Sequence, residues 1–226
     1  MASLAHDYER LVPIYKGRFG AVLPVIRSAR LLDLPCGSGN VSYFLRKMGY
    51  TNVDSIDFDE KQVHLARMLG LTATVADGLD WLRSHTSCYD AILCLDFLEH
   101  LDKDNALQFL QLCNAALNPG GVLVLRTPCA EGPFAGTAVF NDLTHEWAAT
   151  SGVIRDILAI AGFAAVNISD EGPVPYKLVN WVRWLAFQTT CAIGRFWGNF
   201  TGLGCPTIWT PNMWAVAKKD NQPHIR

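Results

Sequence analysis

Two stretches of this 226-residue chain carry side chains of the types and spacing that chemistry requires. In the first, Leu31-Leu32-Asp33-Leu34-Pro35-Cys36-Gly37-Ser38-Gly39-Asn40 sets a carboxylate at the end of an apolar run and glycines in the turn after it. Glycine there accepts positive φ and lets a ligand approach the backbone closely. Acids recur after the next apolar runs. Asp57, in Ser55-Ile56-Asp57-Phe58, comes about twenty residues later, where a carboxylate can accept both hydroxyls of a ribose. Asp77, in Ala76-Asp77-Gly78, is placed to accept from an adenine amino group, with Phe58 on the purine face. Each acid taken singly reads equally well as a helix cap or a solvated loop carboxylate. The series after successive strands is harder to dismiss. A dinucleotide fingerprint asks for a third glycine near position 42, where Ser42 stands, so NAD is the losing alternative.

The second stretch is Asp96-Phe97-Leu98-Glu99-His100. If a helix starts there, positions i, i+3 and i+4 bring its two carboxylates and the imidazole together. Mg²⁺, Mn²⁺ and Zn²⁺ all suit those residue types. Without a metal, His100, or His145 from Thr144-His145-Glu146 further on, is a candidate general base, because imidazole titrates near neutrality. His64 on a helix and His224 in a polar tail read as solvated surface.

The elements that must position these groups alternate. Short runs of Val, Ile and Leu predict strands near 30–34, 52–57, 72–76, 89–95, 120–127 and 163–169. Three- and four-residue apolar spacing predicts helices over Val41–Met48, Glu60–Leu69, Asn105–Leu117 and Ser151–Ala161. Helix follows strand each time, the pattern of βαβ units winding a parallel sheet, and ligands bind such sheets at the carboxyl ends of the strands. Gly172-Pro173-Val174-Pro175 then breaks the chain, an insert follows over 171–207, and a last strand is expected around Met213–Lys218. Within the insert, 176–200 reads as an amphipathic helix, with Leu178, Trp181, Val182, Leu185, Ala192, Ile193 and Phe196 on one face. Asn180, Gln188, Arg195 and Asn199 lie on another.

At these residues the sequence resembles the class I S-adenosylmethionine-dependent methyltransferases, over about 28–170 and the final strand. Leu-Asp-Leu-Pro-Cys-Gly-Ser-Gly is similar to their first motif, with Pro35 where glycine is usual; Tyr89 to Asp96 resembles their fourth strand, and Asn118-Pro119-Gly120-Gly121-Val122-Leu123 their fifth. The resemblance implies one domain over 1–226: an α/β fold with a seven-stranded, mostly parallel Rossmann-like sheet, helices on both faces and a helical insert before the last strand. It assigns Asp33, Gly37, Gly39, Asp57, Phe58, Asp77, Gly78 and Leu95 to S-adenosylmethionine. Asp33 would hold the methionine amino group, directly or through water. Asp142-Leu143-Thr144-His145-Glu146-Trp147 resembles a Thr-His-Asp-Trp segment of ubiquinone-biosynthesis O-methyltransferases. In that family, and in small-RNA 2'-O-methyltransferases, two acids and a histidine join a later histidine on Mg²⁺. Here the set would be Asp96, Glu99, His100 and His145, with Asp96 in place of the usual glutamate; the same stretch in other members lines the pocket without a metal. A looser resemblance, through the Thr-His-Glu segment, the aromatic helix and Ile208 to Asn212, runs to bacterial cell-surface polysaccharide methyltransferases.

Composition narrows the functions this implies. Half the residues are hydrophobic, 18% are charged and the formal net charge is -2, which excludes a disordered chain and supplies no basic stripe for nucleic acid. The seven cysteines have no pair spacing and read as reduced, mostly buried hydrophobes. Met1 to Glu9 lacks the basic start and apolar run of a secretory signal, so a cytoplasmic protein is expected. The preferred reading is methyl transfer to a hydroxyl of a small or lipid-linked acceptor. The alternatives are a non-catalytic S-adenosylmethionine-binding protein that docks through the insert and an RNA 2'-O-methyltransferase. The aromatic helix at 176–200 reads as a lid packed on the core, a dimer contact or a peripheral membrane contact.

Overall fold

The computed structural model describes residues 2–202 and 204–221, so His224 lies outside the described residues. The chain runs α1 (Ala2–Phe19), β1 (Arg30–Asp33), α2 (Asn40–Lys47), β2 (Asn52–Asp57), α3 (Glu60–Met68), β3 (Ala73–Val75), α4 (Gly78–Ser84) and β4 (Tyr89–Leu95). After a 3-10 turn at Leu98–His100 come α5 (Lys103–Ala116), β5 (Leu117–Pro128), α6 (Gly136–Val139), α7 (Ser151–Ile160), β6 (Phe163–Asp170), α8 (Leu178–Thr201) and β7 (Asn212–Lys219).

The strands form a seven-stranded sheet of order β3-β2-β1-β4-β5-β7-β6. β1 pairs in parallel with β2 and β4, while β7 runs antiparallel between β5 and β6. Strand order reverses between β1 and β4, and it is at such a switch point that an open α/β sheet leaves a crevice. Successive residues of a strand face opposite sides. Leu32, Ile92, Leu123 and Leu125 therefore meet Phe109 and Leu110 of α5 and Ile154 and Leu158 of α7. Leu31, Leu93, Val122 and Val124 meet Tyr15 and Phe19 of α1 and Phe44 of α2 on the other face. The expected Rossmann-like architecture with helices on both faces is thus present.

Three local features go beyond the sequence pattern. α1 packs through Tyr8, Tyr15 and Phe19, with the Phe19 ring 5.3 Å from Phe44 and 5.4 Å from Trp214. β5 begins at Leu117 rather than 120, because Leu117 already pairs with Tyr89 before the register shifts at the Asn118–Gly121 turn. In α8 a narrow stripe (Asn180, Trp184, Phe187, Cys191, Gly194 and Gly198) turns toward the body. The predicted apolar face is turned to solvent, and the helix packs on the body through Trp184, Phe187, Cys191 and its glycines instead.

Candidate active site

The glycine-rich loop is braced by the acids on either side of it. Asp33, only 1% exposed, accepts through Oδ2 from the Ser42 amide at 2.9 Å and the Ser42 hydroxyl at 2.5 Å, which ties the end of β1 to the first turn of α2. Burial pushes its carboxyl up to about 7, the Ser42 hydrogen bonds opposing and the nearby Asp57 charge adding. Asp57, at the end of β2, accepts from the Gly37 amide at 2.8 Å and from the Asp59 amide at 2.9 Å. Over this loop lies α1, whose Tyr8 hydroxyl is 2.5 Å from Ser38 Oγ. Sequence reasoning missed Tyr8, although Leu4, Tyr8, Leu11, Val12, Tyr15 and Phe19 have helical spacing.

The two loop glycines have different physical reasons. Gly37 has φ +50, and a Cβ there would meet nothing within 4 Å. Gly39 has φ +91, and a Cβ would stand 2.5 Å from Leu71 Cδ1 and 3.1 Å from the Ala66 Cβ, so close packing on α3 requires it. Gly78 is likewise a packing glycine, its Cβ position 2.9 Å from Leu34 Cδ1. Asp77 caps α4 by accepting from the Asp80 amide at 2.9 Å, and Phe58 is 74% exposed.

A cavity of about 300 Å³ opens at this loop, lined by Pro35, Cys36, Gly37, Ser38, Asn40, Asp57, Gln62, Leu95 and Asp96. Of the residues expected around the cofactor, Gly37, Asp57 and Leu95 line it, whereas Asp33 and Gly39 support the loop from behind. A second cavity, of about 340 Å³, holds Asp96, Glu99, His100, Arg126, Asp142, His145, Pro211 and Asn212 among its walls. Asp96 lines both, so the two open side by side at the ends of β4 and β5. A larger cavity of about 630 Å³ lies between Pro24, Asp90 and Gly120, near the starts of β4 and β5 and away from these side chains.

In the second cavity Glu99, His100 and His145 each offer a ligand atom within 4.8 Å of the others, and the imidazole centroids are 4.9 Å apart. The Glu146 amide donates to the Glu99 carbonyl at 2.9 Å, which joins the loop after β5 to the 3-10 turn after β4. Glu99 is 2% exposed and accepts from the Thr127 hydroxyl at 3.1 Å; burial raises its carboxyl above the usual range. His145 Nδ1 lies 3.0 Å from the Val139 carbonyl, which can only accept, so Nδ1 carries the proton in the neutral ring. The Thr144 hydroxyl donates to Asp142 at 2.7 Å and therefore accepts from His100 Nδ1 at 2.9 Å. Both Nε2 atoms are left with a lone pair, the state a ligand or general base needs.

Asp96 stands outside the group formed by Glu99 and the histidines. It takes a left-handed backbone with φ +53, and its carboxylate pairs with Arg126. Arg126 in turn donates to Glu171 at 2.6 and 2.9 Å. Burial alone would lower the guanidinium; the Glu171 hydrogen bonds and the Asp96 charge outweigh it and raise its pKa. No sequence spacing announces this Asp96–Arg126–Glu171 chain, since its members are 30 and 45 residues apart.

Comparison with known proteins identifies the family and the fold. The chain is 33% identical over 115 residues to a ubiquinone biosynthesis O-methyltransferase of Xanthomonas oryzae pv. oryzae, a match covering 46% of this chain and 47% of that protein. The chain thus spans about half the length of the curated relatives it matches. Its fold superposes on a SAM-dependent methyltransferase of Archaeoglobus fulgidus with a TM-score of 0.68 at 19% identity, covering 92% of this chain and 94% of that one. A Haemonchus contortus phosphoethanolamine N-methyltransferase in complex with S-adenosyl-L-methionine gives 0.65 at 14% identity, over 94% of this chain and 52% of that one. Residues 4–168 match the methyltransferase-domain family. The chain belongs to the class I S-adenosylmethionine-dependent methyltransferases.

Proposed function

We propose that the protein transfers the methyl group of S-adenosylmethionine to a hydroxyl oxygen of a small or lipid-linked acceptor. The observation that carries this reading is the shared wall at Asp96 between the loop cavity and the cavity of Glu99, His100 and His145. A donor beside Gly37 and Asp57 and an acceptor beside the histidines are then neighbours, and alignment for in-line attack is what the protein must supply. The acceptor oxygen forms its bond to the methyl carbon as the carbon–sulfur bond breaks. S-adenosylhomocysteine leaves, and the hydroxyl proton passes to a basic Nε2 of His100 or His145. The similarity to ubiquinone-biosynthesis O-methyltransferases favours oxygen as the acceptor atom.

The donor set also fits a divalent ion: a buried carboxylate and imidazoles whose Nδ1 protons are fixed by Thr144 and Val139. Glu99, His100 and His145 would hold it, and such an ion lowers the pKa of an acceptor hydroxyl and orients it. Asp96 is occupied by Arg126 and orients that guanidinium at the wall between the cavities. The test is methyl transfer to phenolic, catechol and glycan hydroxyls after exhaustive chelation and after Mg²⁺, Mn²⁺ or Zn²⁺ is restored. Activity that chelation removes and a metal restores supports the ion; activity indifferent to chelation leaves the histidines as general bases. No methyl transfer to any hydroxyl, despite S-adenosylmethionine binding, would contradict the proposal.

A further inference from the structure

Helix α8 is 24 residues long, about 36 Å at 1.5 Å per residue, and its outer face is apolar and exposed. Leu178, Val182, Leu185, Ile193, Phe196 and Phe200 form one stripe along it and are 61–83% exposed. Trp181 and Trp197 flank the stripe at 53% and 61% exposure. Arg183 and Arg195 lie about 120° to either side of its centre, where long side chains can reach past an apolar surface to a polar layer.

The helix is held in this orientation by close contacts on its inner side. A Cβ on Gly194 would stand 1.9 Å from the Trp209 ring, and one on Gly198 2.3 Å from the Gly204 carbonyl oxygen. Gly172 approaches the Phe187 ring in the same way, its Cβ position 2.6 Å from the ring edge. These contacts leave no room for the helix to rotate and bury its apolar stripe, so the exposed face is a built feature. Contiguous apolar surface of this extent marks an interaction site.

Charge identifies the occupant. Between Tyr176 and Gly202 the charged residues are Lys177, Arg183 and Arg195, with no Asp or Glu. Their formal +3 against the net -2 of the whole chain leaves -5 for the remainder. The surface is therefore cationic and apolar on an otherwise acidic protein. A second copy paired through the same face would offer only further arginines around the stripe, whereas anionic lipid offers phosphates to the guanidiniums, an interface to the indoles and acyl chains to the stripe. Among the described residues no helix is long and apolar enough to cross a membrane, so the fitting arrangement is in the plane of the surface.

We infer that α8 docks the protein flat on an anionic lipid bilayer, with its Leu178-to-Phe200 stripe in the acyl boundary and Arg183 and Arg195 on the phosphates. This rests on α8 alone and not on the identity of the methyl acceptor. Trp209, which fixes the helix, lies in the same segment as Pro211 and Asn212 of the second cavity, so docking and acceptor entry share one stretch of chain.

The test is co-sedimentation of the full chain with vesicles of phosphatidylcholine alone and of phosphatidylcholine with phosphatidylglycerol. Leu185→Glu, Phe196→Glu and Arg183→Gln/Arg195→Gln variants are compared with the unaltered protein, their folding checked by circular dichroism. The expected result is binding to the anionic vesicles, at least tenfold weaker in either Glu variant. The arginine variant should lose about fivefold per charge on anionic vesicles. No sedimentation of the unaltered protein, equal binding to both vesicle types, or unchanged binding of the Glu variants would overturn the inference. So would a solution dimer, seen by ultracentrifugation, that Leu185→Glu dissociates in a protein that ignores vesicles.

Discussion

The Thr144 hydroxyl oxygen lies 2.9 Å from Nδ1 of His100, and because the same hydroxyl donates to Asp142 it can only accept from the ring. A residue outside the cavity wall thereby sets which imidazole nitrogen is basic. Thr144→Val keeps the shape and removes this acceptor. Steady-state methyl transfer should fall about 10- to 100-fold, while S-adenosylmethionine affinity measured by titration calorimetry stays within twofold. An unchanged rate would mean that the Thr144 carbonyl, 3.3 Å from the same Nδ1 and kept in the variant, is enough to hold the tautomer, so that the hydroxyl has no part in the reaction.

Asp33 gives a pH prediction with a definite sign. Its folded pKa of about 7 stands above the ordinary 3.8, so between those values the folded protein holds a proton that the unfolded chain has released. Unfolding then releases a proton, and stability falls as pH rises through that window. Asp33→Asn should flatten this slope. Urea midpoints at pH 5, 6, 7 and 8 test it: the unaltered protein should lose ground to the Asn variant up to about pH 7 and keep a constant gap above it. A gap independent of pH would refute the buried proton.

The loop glycines should separate folding from binding. Gly39→Ala forces a side chain into the left-handed region, at about 1–2 kcal/mol, and into the Leu71 and Ala66 contact, at about 1–3 kcal/mol more. It should lower the thermal midpoint markedly. Gly37→Ala, at φ +50, carries the same left-handed cost but meets nothing within 4 Å, so it should destabilise less than Gly39→Ala, with its larger effect on S-adenosylmethionine affinity. Thermal melts with and without the cofactor distinguish the two, and equal effects of both substitutions on the free protein would contradict this division.

Much of this was legible in the sequence because period and punctuation carry it. The strand at Tyr89–Leu95 has its expected bounds, and β2 ends at Asp57 as its apolar run implied. α1 escaped because Pro13 interrupts an otherwise helical pattern, and α4 because seven residues hold too few turns to show a period. In the second stretch the chain makes a 3-10 turn instead of a helix from Asp96, so Glu99 and His100 converge with His145 while Asp96 turns away to Arg126. Spacing along one segment cannot express that competition, since Arg126 comes from another strand. The periodicity of α8 located its faces; contacts of Gly194 and Gly198 decided which one turned inward.

His145→Ala tests the central claim most directly, with methyl transfer to the hydroxyl panel and S-adenosylmethionine affinity measured on the same preparation. His145 lines the second cavity only, while Gly37 and Asp57 line the first. The account predicts a loss of about 10²-fold or more in transfer rate, with cofactor affinity within twofold of the unaltered protein. Full activity in the folded variant, or a parallel loss of cofactor binding, would contradict it.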